Sequence, residues 1–246
     1  MAATPDAAAA PNHSRTRSIV LLVAVIVAIA ATNYLAHFTG HWTSIFAVPV
    51  MAVLIAVAAR AAGLQWREMG LSHTELRAGV PYAIGAVVVV FAIVSIAVAI
   101  PETRRFFLSD RYNSASAALL AGLLVIPVQT VLPEELLFRG VLQGSLGRVF
   151  GVRATLGIGA ICFGFWHVAS SLGLTSGNAG LSGVLGSGTL GEIAGILGAV
   201  IATSFAGLVL GWLRHRTTSL LASVALHWAL NATGALGAAV AWHLPK

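Results

Sequence analysis

Glu134 and Glu135 are the only charged residues between positions 112 and 138 of this 246-residue chain. Arg139 follows Glu135 by four residues, the spacing at which side chains one helical turn apart can pair. His167, His227 and Asn231 lie in two more charge-free stretches, 154–191 and 217–245. Ionisable groups buried in apolar segments are costly and mark functional sites by default. The chemistry these residue types support is water activation. A carboxylate in low-dielectric surroundings can act as a general base, and a neighbouring imidazole can hold the same water. A second imidazole with a carboxamide supplies donors to a developing oxyanion. Such a set hydrolyses an amide without a nucleophilic side chain.

Spacing brings these groups to one place. With Gly151 as the turn of an antiparallel helical hairpin, Glu134 lies 17 residues before it and His167 lies 16 after it. Both are then about 25 Å of helix from the turn. His227 lies 11 residues beyond Arg216, about 16 Å into a third helix that enters from the same side. Three helices thus bring Glu, His and His to one wet cavity opening inward. Glu134 is rotated about 100° from Glu135, so it is expected to face away from the Glu135–Arg139 pair. His227 and Asn231 share a face, as do Phe163 and His167, which makes Phe163 a wall of the pocket. His37, His41, His215 and His243 fall near span ends.

The elements that must position these residues are membrane helices. Apolar residues make up 58% of the chain and charged residues 9%, and the mean hydropathy is +0.90. That is too apolar for a soluble domain of this length. The charge-free runs 18–59, 78–101, 112–133, 154–191, 193–213 and 217–245 each accommodate the ~20 residues of a spanning helix. They are continuously apolar, without the alternation of barrel strands. The fold predicted is all-α, a polytopic transmembrane bundle of about seven or eight spans around a conical catalytic cavity. Spans are expected near 19–36, 44–62, 79–100, 114–150, 153–172, 191–213 and 217–241. Pro127 and Pro133 should bend the fourth. Whether 134–150 continues that span or forms a separate tilted helix sets the count at seven or eight.

Residues 1–18 read as a disordered leader. Ala28-Ile29-Ala30 resembles a signal-peptide cleavage site, but the spans that follow favour an uncleaved anchor. Residues 19–113 form an N-terminal helical region with an interfacial linker at 63–71, and 114–241 the catalytic core. The Gly/Ser-rich stretch 173–190 reads as an irregular loop or a small close-packed segment. Nine arginines fall in loops expected inside and four basic residues, Lys246 among them, in loops expected outside, which puts the N-terminus in the cytoplasm. The net charge of +6 is spread too thinly for nucleic acid and suits lipid contact. Cys162, the only cysteine, rules out an intramolecular disulfide and a cysteine-based zinc cage.

Other chemistries were weighed against the same residues. Glu134, His167 and His227 are a conceivable zinc set with an open position, but the chain lacks HExxH, and metal-free base catalysis with no required cofactor is preferred. An intramembrane aspartyl protease is excluded, because Asp6 and Asp110 are the only aspartates and both lie in polar segments. Gly180-Leu181-Ser182-Gly183 imitates the GxSG of rhomboid proteases, yet it precedes HxxxN here, the reverse of their order. A non-enzymatic immunity or scaffold protein, or a proton-coupled transporter using Glu134 and the histidines, remains as the alternative. No inverted repeat supports the transporter.

Glu134-Glu135-Leu136-Leu137-Phe138-Arg139, Phe163-Gly164-Phe165-Trp166-His167 and His227-Trp228-Ala229-Leu230-Asn231 carry a specific resemblance. They are similar to the EExxxR, FxxxH and HxxxN motifs of the CAAX protease and bacteriocin-processing (CPBP) family, prokaryotic relatives of the type II CAAX prenyl endopeptidase. The resemblance covers about 114–235. It implies a protease embedded in a bacterial plasma membrane, acting on a membrane-associated, in some members prenylated, peptide or protein. It implies that Glu134 and His167 activate water, that His227 and Asn231 form the oxyanion pair, and that Glu135 and Arg139 orient the site.

Overall fold

The computed structural model describes residues 15–109, 112–177, 179–186 and 188–244. It is all-α: among the described residues there is no strand. The described residues form eight helices, α1 (Arg15–Phe38), α2 (His41–Ala61), α3 (His73–Ala99), α4 (Ala115–Gly147), α5 (Val152–Trp166), α6 (Ala179–Leu185), α7 (Thr189–Thr217) and α8 (Leu220–His243), with short turns of helix at 101–107 and 169–171. Six of them are long and apolar enough to cross a membrane, and α5, at 15 residues, is a shorter apolar helix. Large apolar side chains such as Val27, Val57, Ile96, Leu123, Ile201 and Phe205 are exposed. In water that surface would be untenable, and against lipid it is the expected exterior.

The leader expected at 1–18 falls largely outside the described residues, but its last part, from Arg15, is the first turn of α1. The fifth span is shorter than expected. Its helix stops at Trp166, which leaves His167 at the C-cap instead of mid-helix. The Gly/Ser-rich stretch contains turns and α6.

α4 is one helix across both prolines, without a separate segment at 134–150. Its winding widens to π-type over Ala121–Val131 and Leu136–Leu142, with one normal α turn, Leu132–Glu135, between them. Pro127 and Pro133 each lack an N–H, and each ring would clash with the carbonyl four residues back in a normal α turn. A wider turn relieves that clash, and π-type turns recur at functional sites. The two glutamates stand at the junction of the two windings.

α8 is the central helix. It packs most extensively on α3 and lies along α4 and α7, while α7 lies along α5. Small residues permit this closeness: Ala222, Ala229, Ala232, Ala235 and Ala238 of α8 are all buried. Between α5 and α7 the backbones meet at Gly207, where a Cβ would come within 3.1 Å of the Cβ of Phe163.

One end of the bundle is fastened by the loop at 62–72. Arg148, at the end of α4, donates from Nε and Nη2 to both carboxylate oxygens of Glu68, at 2.6 Å each. Arg214 of α7 donates to the Glu68 carbonyl at 2.9 Å, and the N–H of Leu220 donates to the Gly70 carbonyl at 3.0 Å. Gly70 has φ 71°, and any side chain there would run into the Arg214 guanidinium. The loops predicted to share one side of the membrane are therefore in contact.

Candidate active site

Each polar side chain of the site comes from a helix whose neighbours are apolar, so packing alone fixes its depth. Glu134 and Glu135 come from the α turn inside α4, His227 and Asn231 from α8, and Phe163, Trp166 and His167 from the end of α5. The predicted convergence of three helices is what the structure contains.

Glu135 is fully buried and central. Its Oε1 accepts from Arg139 Nη1 at 2.9 Å and from His227 Nδ1 at 2.9 Å. Arg139, 2% exposed, also donates from Nη2 to the Gly207 carbonyl at 3.4 Å. Its guanidinium lies 4.0 Å from the centroid of the Phe163 ring, a cation–π contact strengthened by the lack of water. The Glu135–Arg139 pair was legible in the sequence. The bond from Glu135 to His227 was not.

Glu134 does not face away from this pair, as its 100° rotation suggested. The His227 ring fits into the angle between the two carboxylates. Nδ1 meets Glu135, and Nε2 points towards Glu134 Oε2 at 4.0 Å. The other oxygen, Oε1, accepts from the indole N–H of Trp166 at 3.0 Å. Oε2 is buried and, like Glu135 Oε2, has no hydrogen-bond partner among the described residues, but it alone of the two is directed at an imidazole nitrogen. An unpaired buried carboxylate oxygen costs several times what an ordinary hydrogen bond contributes, so its presence calls for a reason.

His167 is half-buried. Its Nδ1 lies 2.8 Å from the Phe163 carbonyl. A carbonyl only accepts, so Nδ1 donates, and in the neutral ring Nε2 keeps its lone pair. Phe163 contacts both imidazoles edge-on, with ring centroids 4.6 Å from His167 and 5.8 Å from His227. It is indeed the shared wall. Asn231 is half-buried one turn beyond His227 and makes no hydrogen bond among the described residues. Nothing directly joins it to His227 as a preformed oxyanion pair.

One further difference from expectation concerns access. The charged groups do not line an open cone: Glu134 and His227 are each only 6% exposed, whereas His167 and Asn231 are half-buried. Nor do Glu134, His167 and His227 form a ready zinc cage. Among the described residues no three His, Cys, Asp or Glu side chains gather closely enough to hold an ion, and the Nδ1 atoms of both histidines are already engaged.

Two residues that the motifs do not single out, Trp166 and Asn33, also reach the site. Asn33 is inside α1, and its Nδ2 donates to the Trp166 carbonyl at 2.8 Å. A signal existed for Trp166, since a buried indole N–H seeks a partner.

Residues 114–233, which span α4, α5, α6, α7 and over half of α8, match the Rce1-like family, described as type II CAAX prenyl endopeptidase Rce1-like. No curated protein and no solved structure matches the chain. The match takes in all three motifs and every charged group of the site. The chain is an integral membrane protein whose residues 114–233 carry the sequence pattern of the type II CAAX prenyl endopeptidases and their CAAX protease and bacteriocin-processing relatives.

Proposed function

We propose that the chain is an intramembrane endopeptidase that hydrolyses a peptide bond of a membrane-associated or lipidated substrate, with water activated by Glu134. The observation that supports this most is the divided carboxylate of Glu134. Oε1 is held by Trp166, while Oε2 is buried, unpartnered and directed at His227.

A water on Oε2 attacks the scissile carbonyl carbon, and Glu134 takes its proton. His167 Nε2, whose lone pair is set by the Nδ1 bond to Phe163, orients the same water. His227 faces the developing oxyanion. With Nδ1 already donating to Glu135, Nε2 donates only if the ring carries both protons. Glu135 is then the counter-ion of that imidazolium, and Arg139 balances Glu135. Asn231 completes the donors once substrate draws its amide inward. The C–N bond breaks, Glu134 returns its proton to the leaving nitrogen, and the products are a carboxylic acid and an amine, which exchange the remaining proton to leave as carboxylate and ammonium.

The test is quantitative mass spectrometry of peptide termini in membranes carrying the wild type or Glu134→Gln at matched expression. New termini found only with the wild type are expected, and they define the cleaved sequence. Identical termini in the two, and in His167→Ala, would reject proteolysis and turn attention to scaffolding or transport. With the substrate known, activity should persist after 1,10-phenanthroline. Its loss, restored by zinc, would move water activation to a metal on Glu134, His167 and His227.

A further inference from the structure

We propose that Asn33 and Trp166 form a positioning relay for Glu134, which makes α1 part of the active site although it lies outside the 114–233 match. The proposal rests on the reading of Glu134 as the base.

The relay begins at the end of α5. The last carbonyls of a helix have no partner within it, and here each finds one. Phe163 O accepts from the His167 imidazole, Gly164 O from the His167 N–H, and Phe165 O from the Val168 N–H. Trp166 O accepts from Asn33 on α1, 133 residues away in sequence. The same residue that α1 holds by its backbone holds Glu134 by its side chain. Two hydrogen bonds of 2.8 and 3.0 Å therefore connect α1, α5 and α4 in series. The indole occupies Oε1, so Oε2 is the oxygen left for water.

Asn33 is otherwise out of place. A carboxamide in a lipid-embedded helix is unfavourable unless it bonds to a neighbour. Around it, α1 and α5 do not pack tightly. A cavity of about 270 Å³ separates them, lined by Ile26, Ile29, Asn33, Cys162, Phe165 and Trp166 among others. The amide is the polar tie across that gap, and it grips the residue that orients the base. Cys162, in the same cavity wall, reports on whether α1 stays in place.

The experiment compares Trp166→Phe, Asn33→Leu and the double variant in the purified full-length protein. With indole ¹⁵N labelling, the resonance lost in Trp166→Phe identifies Trp166 among the six tryptophans. That resonance should shift in Glu134→Ala and, by less, in Asn33→Leu. This readout needs no substrate, so it tests the relay even if proteolysis is not found. On the peptide defined by terminal mass spectrometry, Trp166→Phe should lower kcat about 10- to 100-fold, the usual worth of a hydrogen bond to a charged group, with KM within about twofold. Asn33→Leu should lower kcat about fivefold, and the double variant should be no worse than Trp166→Phe, because Asn33 acts through Trp166. Cys162 should react with N-ethylmaleimide at the wild-type rate in Asn33→Leu. An unmoved Trp166 resonance in Glu134→Ala or Asn33→Leu, multiplied kcat losses in the double variant, or faster Cys162 alkylation would each overturn the relay, the last by showing that Asn33 merely retains α1.

Discussion

Two clusters in this protein are built from glutamate and arginine. At the loop end, Glu68 meets Arg148 and Arg214. In the bundle, Glu134 and Glu135 meet Arg139 and His227. At Glu68 both carboxylate oxygens are taken by the Arg148 fork, and Oε2 also accepts the Gln65 N–H. A bidentate pair of this kind fixes geometry. It staples the 62–72 loop to the ends of α4 and α7. In the bundle, Glu135 is engaged on Oε1 only, and both it and Glu134 keep a buried Oε2 without a hydrogen-bond partner among the described residues; that of Glu134 faces His227 Nε2. Similar residues thus serve as a fastener where they are satisfied and as chemistry where one acceptor is withheld.

The sharpest way to break this contrast is to remove the withheld acceptor. Glu134→Gln should cost at least about 10³-fold in kcat, in the range of a lost general base, while thermal unfolding in detergent stays within a degree or two of the wild type. Next comes Arg139→Met, which strands Glu135 without its counter-charge in the bundle. Losing one partner of a fully buried pair costs about 3–5 kcal/mol, measured as a lower midpoint in denaturant, and activity falls with it. At the fastener, Arg148→Met should cost about 1–2 kcal/mol of stability, less because Glu68 is partly solvated, and should leave kcat within about twofold. Trp228→Phe is the smallest. Trp228 is the neighbour of His227, and its indole donates to the Gly122 carbonyl at 2.8 Å. Losing this neutral bond should cost about 1 kcal/mol with catalysis unchanged. A large kcat loss in Arg148→Met or Trp228→Phe would erase the distinction between the fastener and the site.

Much of this was legible before any coordinates, because apolar run length and charge placement dictate membrane helices, and helical rise dictates depth. The six long spans, the turn at Gly151 and the meeting of α4, α5 and α8 near Glu134 and His227 follow from those two regularities. Rotation about each helix axis was not legible. Both glutamates lie in the normal α turn of α4, so the 100° rotation between them holds; the expectation that Glu134 faces away from Glu135 overlooked an imidazole fitting into the angle between the two. The Trp166 and Asn33 bonds were hidden for a different reason. They connect residues 32 and 133 positions apart, and no local period announces such a contact. The length of α5 was overestimated because the apolar run continues past Trp166, while the helix ends where its last carbonyls find other donors.

The most direct measurement is the single-turnover cleavage rate of the terminally mapped peptide by purified Glu134→Gln and Arg148→Met proteins, each beside the wild type in the same lipid. The account predicts cleavage lost by at least about 10³-fold in Glu134→Gln and retained within about twofold in Arg148→Met. Cleavage by Glu134→Gln within tenfold of the wild type would contradict it, because the unpaired oxygen of Glu134 would then not be the one that activates water.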